Sequence, residues 1–108
     1  MKTQQIVAVL TLACLSMQSA NAGVSCSETV TNVIVHSNGA VYFQTDKTCA
    51  GAWCQISFAS ESANKNAYAM LLTARATGKP LSFAWANISA CTASNVVYAS
   101  PDFIFFNS

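Results

Sequence analysis

The stretch ESANKNAYAMLLTARATGKPLSFAW, residues 61–85, decides the order of the fold because its pattern changes from helical to extended. Within residues 61–77, apolar side chains recur at three- and four-residue steps and form one helical stripe: Ala63, Ala67, Met70, Leu71 and Ala74. Ser60 or Ser62 can cap the start of this helix, and Gly78 can adopt the left-handed conformation that follows its last turn. The pattern predicts one long helix.

A strand is predicted directly after this helix. Pro80 prevents the helix from continuing. Leu81, Phe83 and Trp85 then alternate with small residues up to Ala86, which is the pattern of a strand with one buried face. We expect these three large side chains to lie in the core.

Two strands are predicted upstream, at residues 28–36 and 40–45, because both stretches are rich in β-branched and aromatic residues. The pair Asn38-Gly39 lies between them and predicts a two-residue hairpin turn, which requires positive φ at both positions. This turn would give the hairpin a core-facing side with Ile34, Val41 and Phe43, and His36 near its end. The outward side would carry Val35, Tyr42 and Gln44.

A third strand is predicted at residues 53–59 (WCQISFA), where apolar and polar side chains alternate. The inward set would be Cys54, Ile56 and Phe58, and the outward set Trp53, Gln55 and Ser57. After a loop that contains Cys91, a last β region is predicted at 95–106, split or bulged by Pro101.

The element order is therefore three strands, a helix and two strands. This order matches a β-rich α+β fold, the five-stranded OB-like Greek-key barrel with one helix between strands three and four. In that barrel the first strand is antiparallel to the fourth, so the start of one approaches the end of the other.

Four cysteines lie in the predicted domain, and an even number in an oxidising compartment indicates structural disulfides. Cys26 precedes the first strand and Cys91 follows the fourth, which favours a bridge between them in such a barrel. Cys49 and Cys54, the ends of CAGAWC, flank the turn between strands two and three. Of the three possible connectivities we predict 26–91 with 49–54. Because there is no CxxC pair and one histidine, we expect no metal and no cofactor.

Residues 1–22 are typical of a signal peptide. A positive start precedes an apolar run at 6–15 that is too short to span a bilayer. The small residues Ala20 and Ala22, on either side of Asn21, then predict cleavage before Gly23. Lipidation of Cys14 is the alternative. We expect a secreted or periplasmic protein.

The remaining residues, 23–108, predict a single small domain with few charges. Its four basic and four acidic side chains balance: Lys47, Lys65, Arg75 and Lys79 against Glu28, Asp46, Glu61 and Asp102. Four scattered cations do not form a nucleic-acid-binding face or a basic amphipathic membrane helix. The acids show no spacing of a catalytic pair, and His36 has no partner motif, so we expect no enzyme.

The stretch AYAMLLTARATGKPLSFAW, residues 67–85, resembles the equivalent segment of small secreted OB-fold B subunits of bacterial toxins, of the subtilase-cytotoxin and pertussis-like type. It also resembles small secreted bacterial proteins of unassigned function. The toxin resemblance implies a non-enzymatic subunit of a pentameric ring that binds cell-surface glycans. No sugar-contacting residue of that family can be matched to a position here.

Candidate ligand-binding residues lie on the predicted outward faces. Trp53, Gln55 and Ser57 combine a ring with amide and hydroxyl groups, as sugar-binding sites do, and Tyr42 on the neighbouring strand can extend that surface. Trp53 can instead cover the nearby disulfide or pack under a loop, and Tyr42 can serve cross-strand packing. Tyr98 can belong to the core or to the rim.

The stretch FIFF, residues 103–106, is apolar on both faces of its strand. If Ile104 and Phe106 face the core, Phe103 and Phe105 face outward, where they can contact a second copy of the chain. Coverage by the protein's own helix or a loop is the alternative.

Two functions are open at this point. The first is a secreted, non-enzymatic binding module for a glycan or another neutral ligand, alone or as an oligomeric toxin-B-like subunit. The second is a periplasmic structural or protein-interaction protein, such as an inhibitor or an accessory subunit.

Overall fold

The computed structural model describes residues 23–107, and the predicted signal peptide with Cys14 lies outside them. The elements are β1 Val24–Glu28, β2 Val30–Val35, β3 Val41–Thr45, β4 Cys54–Ile56, α1 Glu61–Thr77, β5 Leu81–Trp85 and β6 Phe103–Phe105. No helix in this part of the chain is long and apolar enough to cross a membrane.

The prediction of an OB-like barrel is wrong. The six strands form two separate three-stranded antiparallel sheets, β1-β5-β6 and β2-β3-β4, and no closed barrel. The first predicted strand is divided at Thr29: up to Glu28 the chain pairs with β5, and from Val30 it pairs with β3. The last predicted strand, 95–106, retains only the three residues of β6.

A turn replaces the first part of that last strand and accounts for the open architecture. The Ala99 N–H donates to the Val96 carbonyl at 3.2 Å, which closes the turn before Pro101. The segment at 98–100 then lies along β4, where the Gln55 N–H donates to the Ala99 carbonyl at 2.9 Å. This irregular segment covers the free edge of β4 without joining the two sheets.

The helix agrees with the sequence prediction. The Ser60 hydroxyl caps its start by accepting the Ala63 N–H at 3.0 Å. Gly78 ends it with φ 72°, and its N–H donates to the Ala74 carbonyl. Ala67, Leu71 and Ala74 of the predicted stripe are buried, and the helix packs mainly against β2.

The β2–β3 hairpin differs from the prediction by one residue. Gly39 has φ 91°, but Asn38 lacks the positive φ that a two-residue turn requires. Residues 37–39 instead form a three-residue loop, closed by a hydrogen bond of 2.8 Å from the His36 N–H to the Ala40 carbonyl. The pairing between the two strands is therefore shifted by one residue.

This shift changes the face on which β2 side chains lie, because successive side chains in a strand alternate. Val33 rather than Ile34 pairs with Phe43, and Ile34 pairs with Tyr42. Ile34 is 44% exposed, so its predicted core position is wrong, whereas Val41 and Phe43 are buried as predicted.

Stacked aromatic rings in the core connect the two sheets, and two disulfides cross-link the domain. The Phe43 ring of one sheet stacks on Phe83 of the other with centroids 5.2 Å apart, and Phe83 stacks on Trp85 at 5.8 Å. All three predicted β5 core residues are buried. The disulfides are Cys26–Cys91 and Cys49–Cys54, the connectivity that we predicted.

Candidate functional site

Two clusters of aromatic and polar side chains stand out, and the first surrounds Glu28. This carboxylate is fully buried. It accepts hydrogen bonds from the Thr45 hydroxyl (2.6 Å), the Thr48 N–H (2.8 Å), the Thr48 hydroxyl (2.9 Å) and the Trp85 indole N–H (2.9 Å). Four donors converge on one acid, which compensates for the water that it has lost.

Two asparagines extend this Glu28 cluster. Asn95 is buried and donates to the Thr48 hydroxyl at 2.9 Å, and Asn87 donates to the Asn95 side-chain carbonyl at 2.7 Å. Within the described residues, no buried side-chain nitrogen or oxygen lacks a partner. Glu28 is therefore a closed structural element that a ligand cannot reach.

The second cluster is open and lies on the outward side of sheet β2-β3-β4. Ile34 pairs with Tyr42, and Tyr42 pairs with Gln55, so these three side chains lie side by side across the sheet. Tyr98 joins them from the loop, with its ring centroid 5.2 Å from that of Tyr42 and a tilt of 46°. We call these four residues the Tyr42 face.

Polar side chains border this face on both sides. The His36 ring makes an edge contact with Tyr42 at 6.4 Å. On the same side of the sheet, the side-chain amide of exposed Asn32 donates to that of half-buried Gln44 at 3.1 Å. Tyr98 itself is 56% exposed. The exposed Tyr98 ring and the half-buried Tyr42 ring therefore lie beside side-chain amides that can donate and accept hydrogen bonds.

The structure brings two of the four predicted ligand-binding residues together as a cross-strand pair and places the other two at either end of β4. Tyr42 and Gln55 form a cross-strand pair. Trp53 is half-buried just before β4, and its carbonyl accepts the Tyr98 N–H at 2.6 Å. Ser57 is exposed just after β4, and its N–H donates to the Ser100 hydroxyl at 3.0 Å. Trp53 and Ser57 thus anchor the loop through their backbones.

Sequence reasoning missed Ile34 and left Tyr98 undecided. Ile34 was assigned to the core by the two-residue turn, so a three-residue reading of the loop would have found it. Tyr98 has no local signal, because the loop that positions it is held by β4, more than forty residues upstream.

None of the three lysines among residues 23–107 lies in the Tyr42 face, and each of the three contacts another group. Lys47 donates to the Ser27 carbonyl at 2.8 Å, Lys65 pairs with Glu61 at 3.7 Å, and Lys79 lies over the Phe106 ring. The face thus offers rings and amides without a lysine to attract an anion.

The predicted interface residues lie elsewhere, on β6. Ile104 and Phe106 pack against the core, whereas Phe103 is 56% exposed and its ring lies 5.8 Å from that of Phe105. A groove of about 420 Å³ between α1 and β6 lies next to Phe103. Contact with a second copy through this surface remains a prediction.

Comparison of the chain with models of protein families, with curated proteins and with solved structures finds no match. Among residues 23–107, no three His, Cys, Asp or Glu side chains are grouped so that they could hold a metal ion. What this protein binds is therefore inferred from the chemistry of the Tyr42 face.

Proposed function

We propose that this protein is an exported, non-enzymatic binding module that recognises a neutral glycan through the Tyr42 face. The observation that carries the proposal is the ring pair of half-buried Tyr42 and exposed Tyr98 beside the Gln55 side chain. The C–H faces of sugar rings pack on aromatic rings, while amides bind sugar hydroxyls. This combination of groups is what a small neutral carbohydrate needs from a protein surface.

The charge distribution supports a neutral rather than an acidic ligand. A carboxylate, sulfate or phosphate on a glycan is usually recognised by lysine or arginine. The three lysines that the structure describes are engaged away from the Tyr42 face, and Arg75 lies in the last turn of α1. Acidic glycans should therefore bind more weakly than neutral ones.

Export to the periplasm or the medium is supported by the two disulfides, because such bonds form and persist in oxidising compartments. We propose cleavage after Ala22 by signal peptidase. The resemblance to toxin B subunits assigns no residue to the binding site. The proposed glycan binding therefore does not require that the protein assemble with a catalytic subunit.

An array of neutral and acidic oligosaccharides tests the proposal with three forms of the protein. Wild type should bind neutral glycans. Tyr42→Ala should bind at least about tenfold more weakly, because stacking on an aromatic ring contributes on the order of 1 kcal/mol beyond its buried area. Leu72→Ala, at an exposed helix position away from the face, should bind like wild type. Preference for acidic glycans, or binding that survives Tyr42→Ala, would contradict the proposed site.

A protein partner is the second candidate function, favoured by the residues that precede Tyr98. Val96 is 69% exposed and Val97 is 56% exposed, and adjacent apolar side chains of this kind are typical of protein contacts. If this function is correct, the array shows no binding. A partner cross-linked in the producing cells should then be lost with Val97→Ser and retained with Leu72→Ala.

A further inference from the structure

The backbone of Tyr98 adopts a conformation that tyrosine rarely takes. Its φ is 64°, and no other non-glycine residue of the described chain has a positive φ. Tyr98 occupies the third position of the turn closed by Val96 and Ala99, a position that glycine or asparagine usually fills when φ is positive. An aromatic residue there is strained by its Cβ atom.

Three hydrogen bonds to β4 and its flanking residues hold this conformation. The Tyr98 N–H donates to the Trp53 carbonyl, the Gln55 N–H donates to the Ala99 carbonyl, and the Ser100 hydroxyl accepts the Ser57 N–H. Strain of this kind persists only where the surroundings determine the backbone, and it is concentrated at binding and active sites. Since the Tyr98 side chain is 56% exposed, packing in the core does not explain why tyrosine occupies this position.

The tilt between the two tyrosine rings limits which ligands can contact both of them. The Tyr42 and Tyr98 rings are inclined by 46°, so one flat sugar ring cannot stack on both at once. With centroids 5.2 Å apart, the two rings contact each other, and a ligand can reach each ring only on the part that remains exposed. A ligand that contacts both rings must bend or contain two linked rings.

We infer that the Tyr42 face takes two linked neutral sugar units, one on Tyr42 and one on Tyr98, and that the strained turn positions Tyr98 for the second unit. This inference rests on the proposed glycan binding. Tyr98 then sets the minimum length of the ligand, while Tyr42 and Gln55 form the first subsite.

The strain is tested by melting temperature, without any ligand. Tyr98→Ala and Tyr98→Gly both remove the ring, but only glycine removes the Cβ atom. Tyr98→Gly should therefore melt about 4–8 °C above Tyr98→Ala. At Tyr42, in the extended strand β3, the order should reverse, with Tyr42→Gly melting below Tyr42→Ala. If Tyr98→Ala melts as high as Tyr98→Gly, the strained turn is disproved.

The length of the ligand is tested with immobilised mono-, di- and trisaccharides of galactose, glucose, mannose and N-acetylglucosamine. Wild type should bind some disaccharide about tenfold more tightly than its terminal monosaccharide, and Tyr98→Gly should lose that difference. Equal binding of mono- and disaccharides by wild type would overturn the inference and leave glycan binding intact. If folded wild type binds none of these sugars, the proposed function itself fails.

Discussion

The Glu28 cluster and the Tyr42 face are built from similar side chains but differ in what surrounds them. Both combine aromatic rings with side-chain amides, and β3 contributes to both, with Thr45 facing inward and Tyr42 facing outward. In the Glu28 cluster both carboxylate oxygens are hydrogen-bonded within the protein and the side chain is fully buried. On the Tyr42 face the Tyr98 ring is exposed and the Tyr42 ring is only half-buried. Residue types alone therefore do not separate a structural cluster from a binding surface, whereas burial does.

The largest expected effect comes from the disulfide that holds the loop shared by both regions. Cys26–Cys91 anchors the segment that supplies Asn95 to the cluster and Tyr98 to the face. Replacing both cysteines by alanine should lower the free energy of unfolding by about 4 kcal/mol, since the bridge closes a long loop. Urea denaturation measures this loss.

The short bridge Cys49–Cys54 provides the matched comparison. It closes a loop with a sequence separation of 5, against 65 for Cys26–Cys91. The same double replacement there should cost about 2 kcal/mol. An equal or larger loss from the short bridge would show that chain entropy in the unfolded state does not control the stability of this domain.

The next largest loss of stability is expected for Glu28→Gln, which tests the Glu28 cluster directly. An amide fits the same space, but one of its ends is an NH2 group. That group must oppose either the Thr48 backbone N–H or the Trp85 indole N–H, and neither donor can turn away. The free energy of unfolding should fall by about 3 kcal/mol, which urea denaturation again measures.

Glu61→Gln is the control for that change, because Glu61 lies exposed on α1 and pairs with Lys65 across a gap of 3.7 Å. It should alter stability by no more than about 0.5 kcal/mol. If Glu28→Gln lowered the free energy of unfolding no more than Glu61→Gln, the Glu28 cluster would not stabilise the fold. The distinction between a structural cluster and an open binding face would then be contradicted.

A smaller effect is expected at Gly39, whose loop sets the register that exposes Ile34. Neither Gly39 nor Gly51 has an atom within 4 Å of an added Cβ, but Gly39 has φ 91° and Gly51 has no positive φ. Gly39→Ala should therefore cost about 1–2 kcal/mol in thermal or urea unfolding. Gly51→Ala should be close to neutral, and a similar cost at both positions would contradict the described loop.

The smallest effect on the folded monomer is expected on β6. Phe103→Ser with Phe105→Ser should lower monomer stability by no more than about 1 kcal/mol, because Phe103 is exposed and Phe105 is only half-buried. If this surface contacts a second copy, light scattering at high micromolar concentration should give a larger mass for wild type than for the double variant. A monomeric wild type would show that the Tyr42 face is not accompanied by a self-association surface on β6.

Local signals in the sequence predicted the helix and β5 well. Ser60 and Gly78 act on the adjacent backbone, and the alternation of Leu81, Phe83 and Trp85 reflects direct burial, so no distant contact is needed to identify them. The disulfide connectivity was also predicted correctly, although the strand beside β5 is β1, which contains Cys26, and not the predicted first strand at 28–36.

The arrangement of the sheets and the positions of Ile34 and Tyr98 could not be predicted from local sequence patterns. Asn38-Gly39 is compatible with two loop lengths, and a difference of one residue moves Ile34 from the core to the surface. Whether residues 95–106 extend as a strand or turn at Val96 is decided by hydrogen bonds to β4. These contacts are long-range, so Tyr98 could be placed only once the pairing of the sheet was known.

The anchoring of the loop at 91–101 determines which of its positions can vary in sequence. Its inward anchors are Asn95, Ala99 and Pro101, which are all buried, together with the disulfide at Cys91. The three residues between the first two anchors are exposed. Substitutions at 96–98 can therefore accumulate without disturbing the core, as they do in the variable loops of other scaffolds. Relatives or engineered libraries that keep the anchors and vary these three positions would yield a set of binders with different ligands on one unchanged framework.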